Sequence, residues 1–240
     1  MDATCVASPS GIAYSASLAA ARVPSGVSWE DAGAIPEAFI TAHDALVTQA
    51  HLSRNERVLI HAVGSGVGLA AVQVARAVGA IPYGTSRTPD KIERATPFGM
   101  ERGASIRDAS ELASIAKEWA PNGFDVVLDL VGGAYTPASI ATMATQGRLM
   151  LVGLVAGASA TFDLRRILSR RLTVIGTVLR ARSVDEKAAA TDAFARDLLE
   201  RFETGALRAV VDRVFPLTAI ADAHRRMESN ESFGKVVVLP

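Results

Sequence analysis

Short, largely apolar runs recur along the chain: RVLIHA (57–62), AIPYGTS (80–86), GASI (103–106), FDVVLDLV (124–131), GRLMLVG (147–153) and LTVIGTV (172–178). They read as buried strands. Between them lie segments of helical period. GLAAVQVARAVG carries Leu69, Val72, Val74 and Val78 and closes at Gly79, and TPDKIERATPFGM is ended or kinked by Pro97. SELASIAKEWA (110–120) has Ser110 as its N-cap; AYTPASIATMAT, DLRRILSRR and the long VDEKAAATDAFARDLLERFETG, which ends at Gly205, complete the set. Near-continuous apolar strands alternating with helices at this spacing predict a parallel sheet covered on both faces, an α/β doubly wound (Rossmann) fold.

The flanks depart from this rhythm. Upstream, Ser28 is the expected N-cap before Trp29, Glu30 and Asp31, and a second helix is expected from about Glu37 to about Gln49. Downstream come a strand AVVDRVFPL (209–217), a helix TAIADAHRRMESN (218–230) and a strand GKVVVLP (234–240). The first 22 residues, rich in Ala and Ser, show neither period, and disorder is expected to about residue 22. The expected organisation is an N-terminal segment 1–36, a Rossmann domain 37–208 and a C-terminal segment 209–240, the flanks being too short to fold alone.

Composition narrows the class. With 240 residues, 49% of them hydrophobic, the chain has enough apolar material for a substantial core. Its 25 basic and 25 acidic residues, with a pI of about 6.9, do not build the basic field that nucleic acid or an anionic membrane requires. A single cysteine, Cys5, forbids an internal disulfide and a Cys-x-x-Cys zinc site, which suits a reducing cytoplasm. No apolar run reaches the roughly 18 residues of a membrane span. The start, MDATCV, has no basic residue before Arg22 and fails as a secretory signal. A soluble, cytoplasmic protein is expected.

The stretch HAVGSGVG (61–68) then asks what needs three glycines between a strand and a helix. Glycine permits a tight turn, close approach of the backbone to a pyrophosphate, and close packing of helix on strand, while the helix N-terminus offers free amides. Two readings stand, an anion site and a turn needed only for packing. The strand before it, the helix after it and the alternating series around it favour the anion. An acid about 20 residues on would bind the adenine ribose 2′-OH, but the second strand ends Gly84-Thr85-Ser86-Arg87-Thr88, with none before Asp90. Ser86 and Arg87, with Lys91 one turn into the next helix, complement a 2′-phosphate, which favours NADP(H) over NAD(H). A plain surface-charge role for Arg87 and Lys91 is the competing reading. The missing acid also weakens an S-adenosylmethionine methyltransferase. No Tyr-x-x-x-Lys pair supports a short-chain dehydrogenase, and no Gly-Lys-Ser/Thr supports a Walker loop.

From about Val23 to Pro240 the sequence resembles the zinc-independent, ζ-crystallin-like quinone oxidoreductases of the medium-chain dehydrogenase/reductase superfamily. The carriers are AIPEAFITAHDAL (34–46), ERVLIHAVGSGVGLAAVQVARAVGA (56–80), VVLDLVGGAY (126–135), GRLMLVG (147–153), RRLTVIGTVLRARS (170–183) and AHRRMESNESFGKVVV (223–238). The resemblance implies NADPH-dependent reduction of a quinone or enone by a Rossmann domain joined to a GroES-like catalytic domain. Ser65, Gly66, Val67 and Gly68 would hold the pyrophosphate, and Ser86, Arg87 and Lys91 would face the adenosine phosphate. Val131, Gly132 and Gly133, with Val152, Gly153 and Leu154, would lie by the nicotinamide. Phe233, Gly234 and Lys235 would belong to the cofactor-facing edge of the catalytic domain.

Two departures stand out. The family's tyrosine near the adenine is replaced in ASIRD by Ile106 and Arg107. Most of the N-terminal catalytic domain is expected to be missing, leaving short remnants at both ends, and residues 1–22 fit a frameshifted or misassigned start. Hence two functional expectations: a quinone reductase, or an NADPH-binding remnant that turns nothing over. No catalytic side chain is assigned.

The remaining candidates have structural readings. His61 and His43 lack a third ligand and are expected to be structural, with no metal site. Asp125 and Asp129 flank a strand; Asp129 is either a satisfied inward acid or a group that positions a nicotinamide amide. The arginines of 164–182 read as a solvated helix and strand edge. The family pairs subunits near LTVIGTV, which implies a homodimer through the Rossmann sheet edge.

Overall fold

A computed structural model describes residues 21–240 of the protein; residues 1–20, on which the expected disorder and the misassigned start fall, lie outside the described residues. Ser28 is extended and its hydroxyl accepts the Asp31 amide at 3.1 Å, which starts α1 (Trp29–Ile35) where the sequence expects it. The second helix does not start afresh at Glu37. Pro36 has no N–H to donate to the preceding turn, and the chain runs on as a wide π segment (Pro36–Ile40), a short α2 (Thr41–His43) and another π segment (Asp44–Gln49).

The described chain divides into two compact units. The first, Ala45–Gly64 with Ala71–Val178, holds the sheet. Its strands are β1 (Arg57–Ile60), β2 (Ile81–Ser86), β3 (Arg102–Ser105), β4 (Phe124–Asp129), β5 (Met143–Leu151) and β6 (Thr173–Gly176). All neighbours pair in parallel, in the order β3-β2-β1-β4-β5-β6, the order of a doubly wound dinucleotide fold. Helices α3 (Gly66–Ala77), α4 (Pro89–Ala95), α5 (Leu112–Trp119), α6 (Tyr135–Thr142) and α7 (Leu164–Arg170) supply the crossovers.

Successive side chains on a strand point to opposite faces, and Val58, Leu59 and Ile60 are all fully buried, so the sheet centre is covered on both sides. On one face Leu59, Tyr83, Val127 and Leu149 pack with Leu112 and Ala116 of α5 and Ile140 of α6. Tyr83 stacks on Trp119 and meets Phe124 edge-on.

Three local expectations are corrected. Ser110 is not the cap of α5. Asp108 accepts the Ser110 amide at 2.8 Å, Glu111 accepts the Asp108 amide at 2.9 Å, and this capping box starts a 3-10 turn (Ala109–Glu111) ahead of the helix. The segment expected to stay helical through 145 stops at Thr142, because Met143 is extended and pairs with Phe124. Strand β5 therefore starts four residues before Gly147 and absorbs a register shift between Phe124 and Val126. Pro97 does end α4, inside a 3-10 turn closed by the left-handed Gly99.

Polar groups tie the layers of this unit. Arg148 on β5 makes a two-pronged pair with Glu56 at 2.8 and 2.7 Å and donates to the Ala50 carbonyl at 2.9 Å. The fully buried His61, just past β1, bridges Thr85 of β2 through Nδ1 and Ser139 of α6 through Nε2, both at 2.8 Å. Its ring meets Tyr135 edge-on.

The second unit, described over 21–44, Ser65–Ala70 and Leu179–Pro240, contains α8 (Val184–Leu198), α9 (Glu200–Glu203), β7 (Val211–Pro216), α10 (Ile220–Glu228) and β8 (Lys235–Leu239). Strands β7 and β8 pair in parallel, with α10 packing Ala223, Ile220 and Met227 over Val236 and Val238. Among the described residues no helix is long and apolar enough to cross a membrane.

The ties within the sheet unit can be tested by substitution. Removing the Arg148 guanidinium leaves a half-buried carboxylate and a carbonyl unpaired, so Arg148→Ala lowers the urea-derived unfolding free energy by about 2 kcal/mol. An unchanged midpoint would contradict this. Burial holds the His61 imidazole neutral, bringing its pKa down to about 4 against the pull of the Asp129 carboxylate. A histidine titrating lower when folded than when unfolded leaves stability intact above its unfolded pKa of 6.5, and stability is lost as pH falls from there towards 4. Across that window His61→Gln makes the decline of unfolding free energy shallower, by up to about 3 kcal/mol. Parallel profiles for the two proteins would rule out this origin.

Candidate functional site

The glycine turn begins where β1 stops pairing, and its glycines are required for space rather than for backbone conformation. Gly64 and Gly66 do not take left-handed φ. A Cβ on Gly64 would sit 2.8 Å from Cδ of Lys91, and one on Gly66 would overlap the Lys235 side chain. Each glycine thus makes room for a lysine stem, with the cation carried at its tip. Lys91 is the third residue of α4.

Residues 65–68 open α3. The Ser65 hydroxyl accepts the Gly68 amide at 3.1 Å, capping the helix, and Val67 is partly exposed on its first turn. Gly66 and Val67 follow with the early amides of a helix at the positive end of its dipole. In the same unit Ser65 bridges Gly234 in parallel. Gly234 is left-handed at φ 93, and its neighbour Lys235 donates its amide to Val210 O at 2.8 Å. Phe233 is buried and its amide donates to Asp212 at 2.9 Å, while Asp212 is itself gripped by Arg226. Ser65, Gly66, Phe233, Gly234 and Lys235 are therefore brought together. The Lys235 ammonium pairs with Glu37, a contact that no spacing in the sequence announces.

On the sheet side, Ser86 is buried at the end of β2 and Arg87 is exposed just beyond it. The Ile106 amide donates to Ser86 O at 2.8 Å and the Ser105 hydroxyl to Arg87 O at 3.1 Å, which fixes the backbone that carries Arg87. Asp90, the first acid after β2, is exposed and turned to Arg94 four residues on. Ile106, at the place of the family's tyrosine, is buried in the core, and Arg107 is exposed.

The loops after β4 and β5 interlock. The Val152 and Gly153 amides donate to Asp129 O, the Ala156 amide to Val131 O at 2.8 Å, and the Gly133 amide to Gly157 O at 3.0 Å. A Cβ on Gly132 would lie 2.9 Å from Gly157 O, and one on Gly153 would overlap the Leu130 carbonyl. Val131, Gly132, Gly153 and Leu154 thus belong to one plate at the carboxyl edge of the β4–β5 half of the sheet, with Leu154 half exposed. Asp129 has no exposed surface and is a satisfied inward acid, which excludes direct contact with a nicotinamide amide.

His43, in α2, is buried, bonds Asp197 through Nε2 at 3.0 Å and packs edge-on against Phe194, a structural setting. Burial, the largest influence on it, lowers its pKa despite the Asp197 carboxylate. The arginines of 164–182 separate: Arg165 is solvated beside Asp163, whereas Arg182 makes a two-pronged pair with the buried Asp44 at 3.0 and 2.7 Å. Among the described residues no group of three or more His, Cys, Asp or Glu is placed to hold a metal ion.

Known proteins of this architecture match the chain along nearly all its length. A family model described as zinc-binding dehydrogenase covers residues 66–196, more than half of the chain. The quinone oxidoreductase of Pongo abelii is 25% identical over 219 residues, spanning 91% of this chain and 65% of that protein. This chain therefore extends over less than two thirds of that relative's length. Among solved structures, the quinone oxidoreductase of Thermus thermophilus, determined also in complex with NADPH, is 33% identical with a TM-score of 0.80, over 91% of this chain and 69% of its own. The CurK enoyl reductase is 30% identical with a TM-score of 0.80, over 94% of this chain and 67% of its own. The chain belongs to the zinc-binding dehydrogenase family.

Proposed function

We propose that this protein is an NADPH-dependent oxidoreductase of the quinone reductase type, passing a hydride from NADPH to a quinone or an enone. The observation that carries the cofactor choice is the end of β2, where Ser86 and Arg87 stand in place of an acid and Lys91 lies against Gly64. A carboxylate there would accept from a free ribose hydroxyl and repel a phosphate. Two cations and a hydroxyl do the reverse. The likeness to proteins named quinone oxidoreductase and enoyl reductase supports the substrate class.

In this reading Ser65, Gly66, Val67 and Gly68 hold the pyrophosphate with early amides of α3, and Ser86, Arg87 and Lys91 hold the adenosine phosphate. Val131, Gly132, Gly153 and Leu154 back the nicotinamide, and Phe233 and Lys235 complete the cofactor contacts. NADPH when bound supplies the hydride, and the proton that completes reduction comes from solvent. The chain's residues orient and neutralise, and no acid–base side chain is assigned. The family's description names zinc, but the described donors do not fit such a site, and no step is routed through one. The single cysteine suits a cytoplasmic setting.

A homodimer through the sheet edge belongs to the same reading. Among the described strands β6 is at the edge of the sheet, and Val174 on it and Val178 just beyond it are exposed at 41% and 55%. Sedimentation at micromolar concentration should show a dimer that Val174→Lys shifts towards monomer; a monomeric wild type would remove this assembly.

Calorimetric titration of the 240-residue chain tests the cofactor. NADPH should bind markedly more tightly than NADH, and Arg87→Ala should weaken NADPH roughly tenfold while leaving NADH unchanged. A folded chain that binds neither nucleotide would defeat the proposal. Oxidation of NADPH on adding a benzoquinone, followed by its absorbance, then tests turnover.

A further inference from the structure

Where the β4 ladder ends, the next backbone amides of the chain need acceptors, and one carboxylate meets them. Asp129 Oδ1 accepts from the Val131 and Gly132 amides, both at 2.9 Å, and Oδ2 accepts from the Thr136 hydroxyl at 2.7 Å. A carboxylate so occupied and so buried touches no ligand. What it does is hold in one conformation a turn whose two glycines, left-handed at φ 71 (Gly132) and φ 55 (Gly133), are free to take others, and tie that turn to the first helical residues of α6 through Thr136. Because the turn interlocks with the loop after β5, fixing one fixes the other.

We propose that Asp129 is a positioning residue for the nicotinamide end of the cofactor, an inference that rests on the NADPH reading above. In a doubly wound sheet each half takes one mononucleotide. The adenosine determinants Ser86 and Arg87 lie at the end of β2, in one half, and the plate held by Asp129 lies in the other, at the ends of β4 and β5. Asp129 sets where that plate stands and leaves the adenosine half alone. The neighbouring His61 network fastens β1, β2 and α6 beneath it but donates to neither loop.

The test compares two ligands on the full chain: NADPH, and adenosine 2′,5′-bisphosphate, which carries the adenosine and its phosphate without nicotinamide. Asp129→Ala should weaken NADPH roughly tenfold or more while adenosine 2′,5′-bisphosphate stays within about twofold, since a plate displaced by an ångström misplaces only the group resting on it. Asp129→Asn keeps an oxygen for the two amides and should fall between. Equal weakening of both ligands, or of neither, overturns the proposal. Should Asp129→Ala lack a cooperative melt, Asp129→Asn and Thr136→Val are judged by the same ratio, and an unchanged ratio in both overturns it. Wild type that binds adenosine 2′,5′-bisphosphate and NADPH, with variants that do not separate them, removes this role alone; wild type that binds neither removes the cofactor reading with it.

Discussion

A parallel sheet satisfies its backbone only as far as its strands run, and everything of interest in this protein happens just past their carboxyl ends. There the amides have left the ladder, and other partners must be found for them. Asp129 supplies acceptors for the turn after β4, and that turn in turn engages the loop after β5. His61 does the equivalent for side chains, joining β1, β2 and α6 through two hydroxyls while staying neutral. These buried polar groups turn chain ends that would otherwise wander into fixed surfaces.

The glycines answer to a second constraint. At Gly132 and Gly133 left-handed backbone and close neighbouring carbonyls both demand glycine. At Gly64 and Gly66 the backbone is ordinary, and what excludes a side chain is a lysine stem lying across each one. The two kinds of glycine look alike in a sequence. They serve different ends: one shapes a turn, the other makes room for the lysine stem packed across it.

Much of this is legible in the sequence. The six strands follow from apolar runs, and parallel pairing from their lack of polar alternation. Ser28, Gly79 and Gly205 mark element ends because capping and left-handed closure depend on nearby residues. Misreadings arose where a neighbour competed. Ser110 looked like a cap, but Asp108 with Glu111 forms the reciprocal box; MAT at 143–145 looked helical, but pairing with β4 draws it into β5. Of the candidate site, the turn at 65–68 and the lysines at 91 and 235 could be named. Glu37 as partner of Lys235 could not, because nearly two hundred positions lie between them.

The alternation of elements, the all-parallel sheet, the glycine turn and the lack of an acid at the end of β2 are all written in the sequence, since each depends on residues close along the chain. Only the tertiary structure decided which lysine lies on which glycine, that Asp129 faces inward to its own loop, and that His61 is a neutral bridge. Those outcomes depend on distance in space and on burial, and a carboxylate or an imidazole carries no mark of either in its place along the chain.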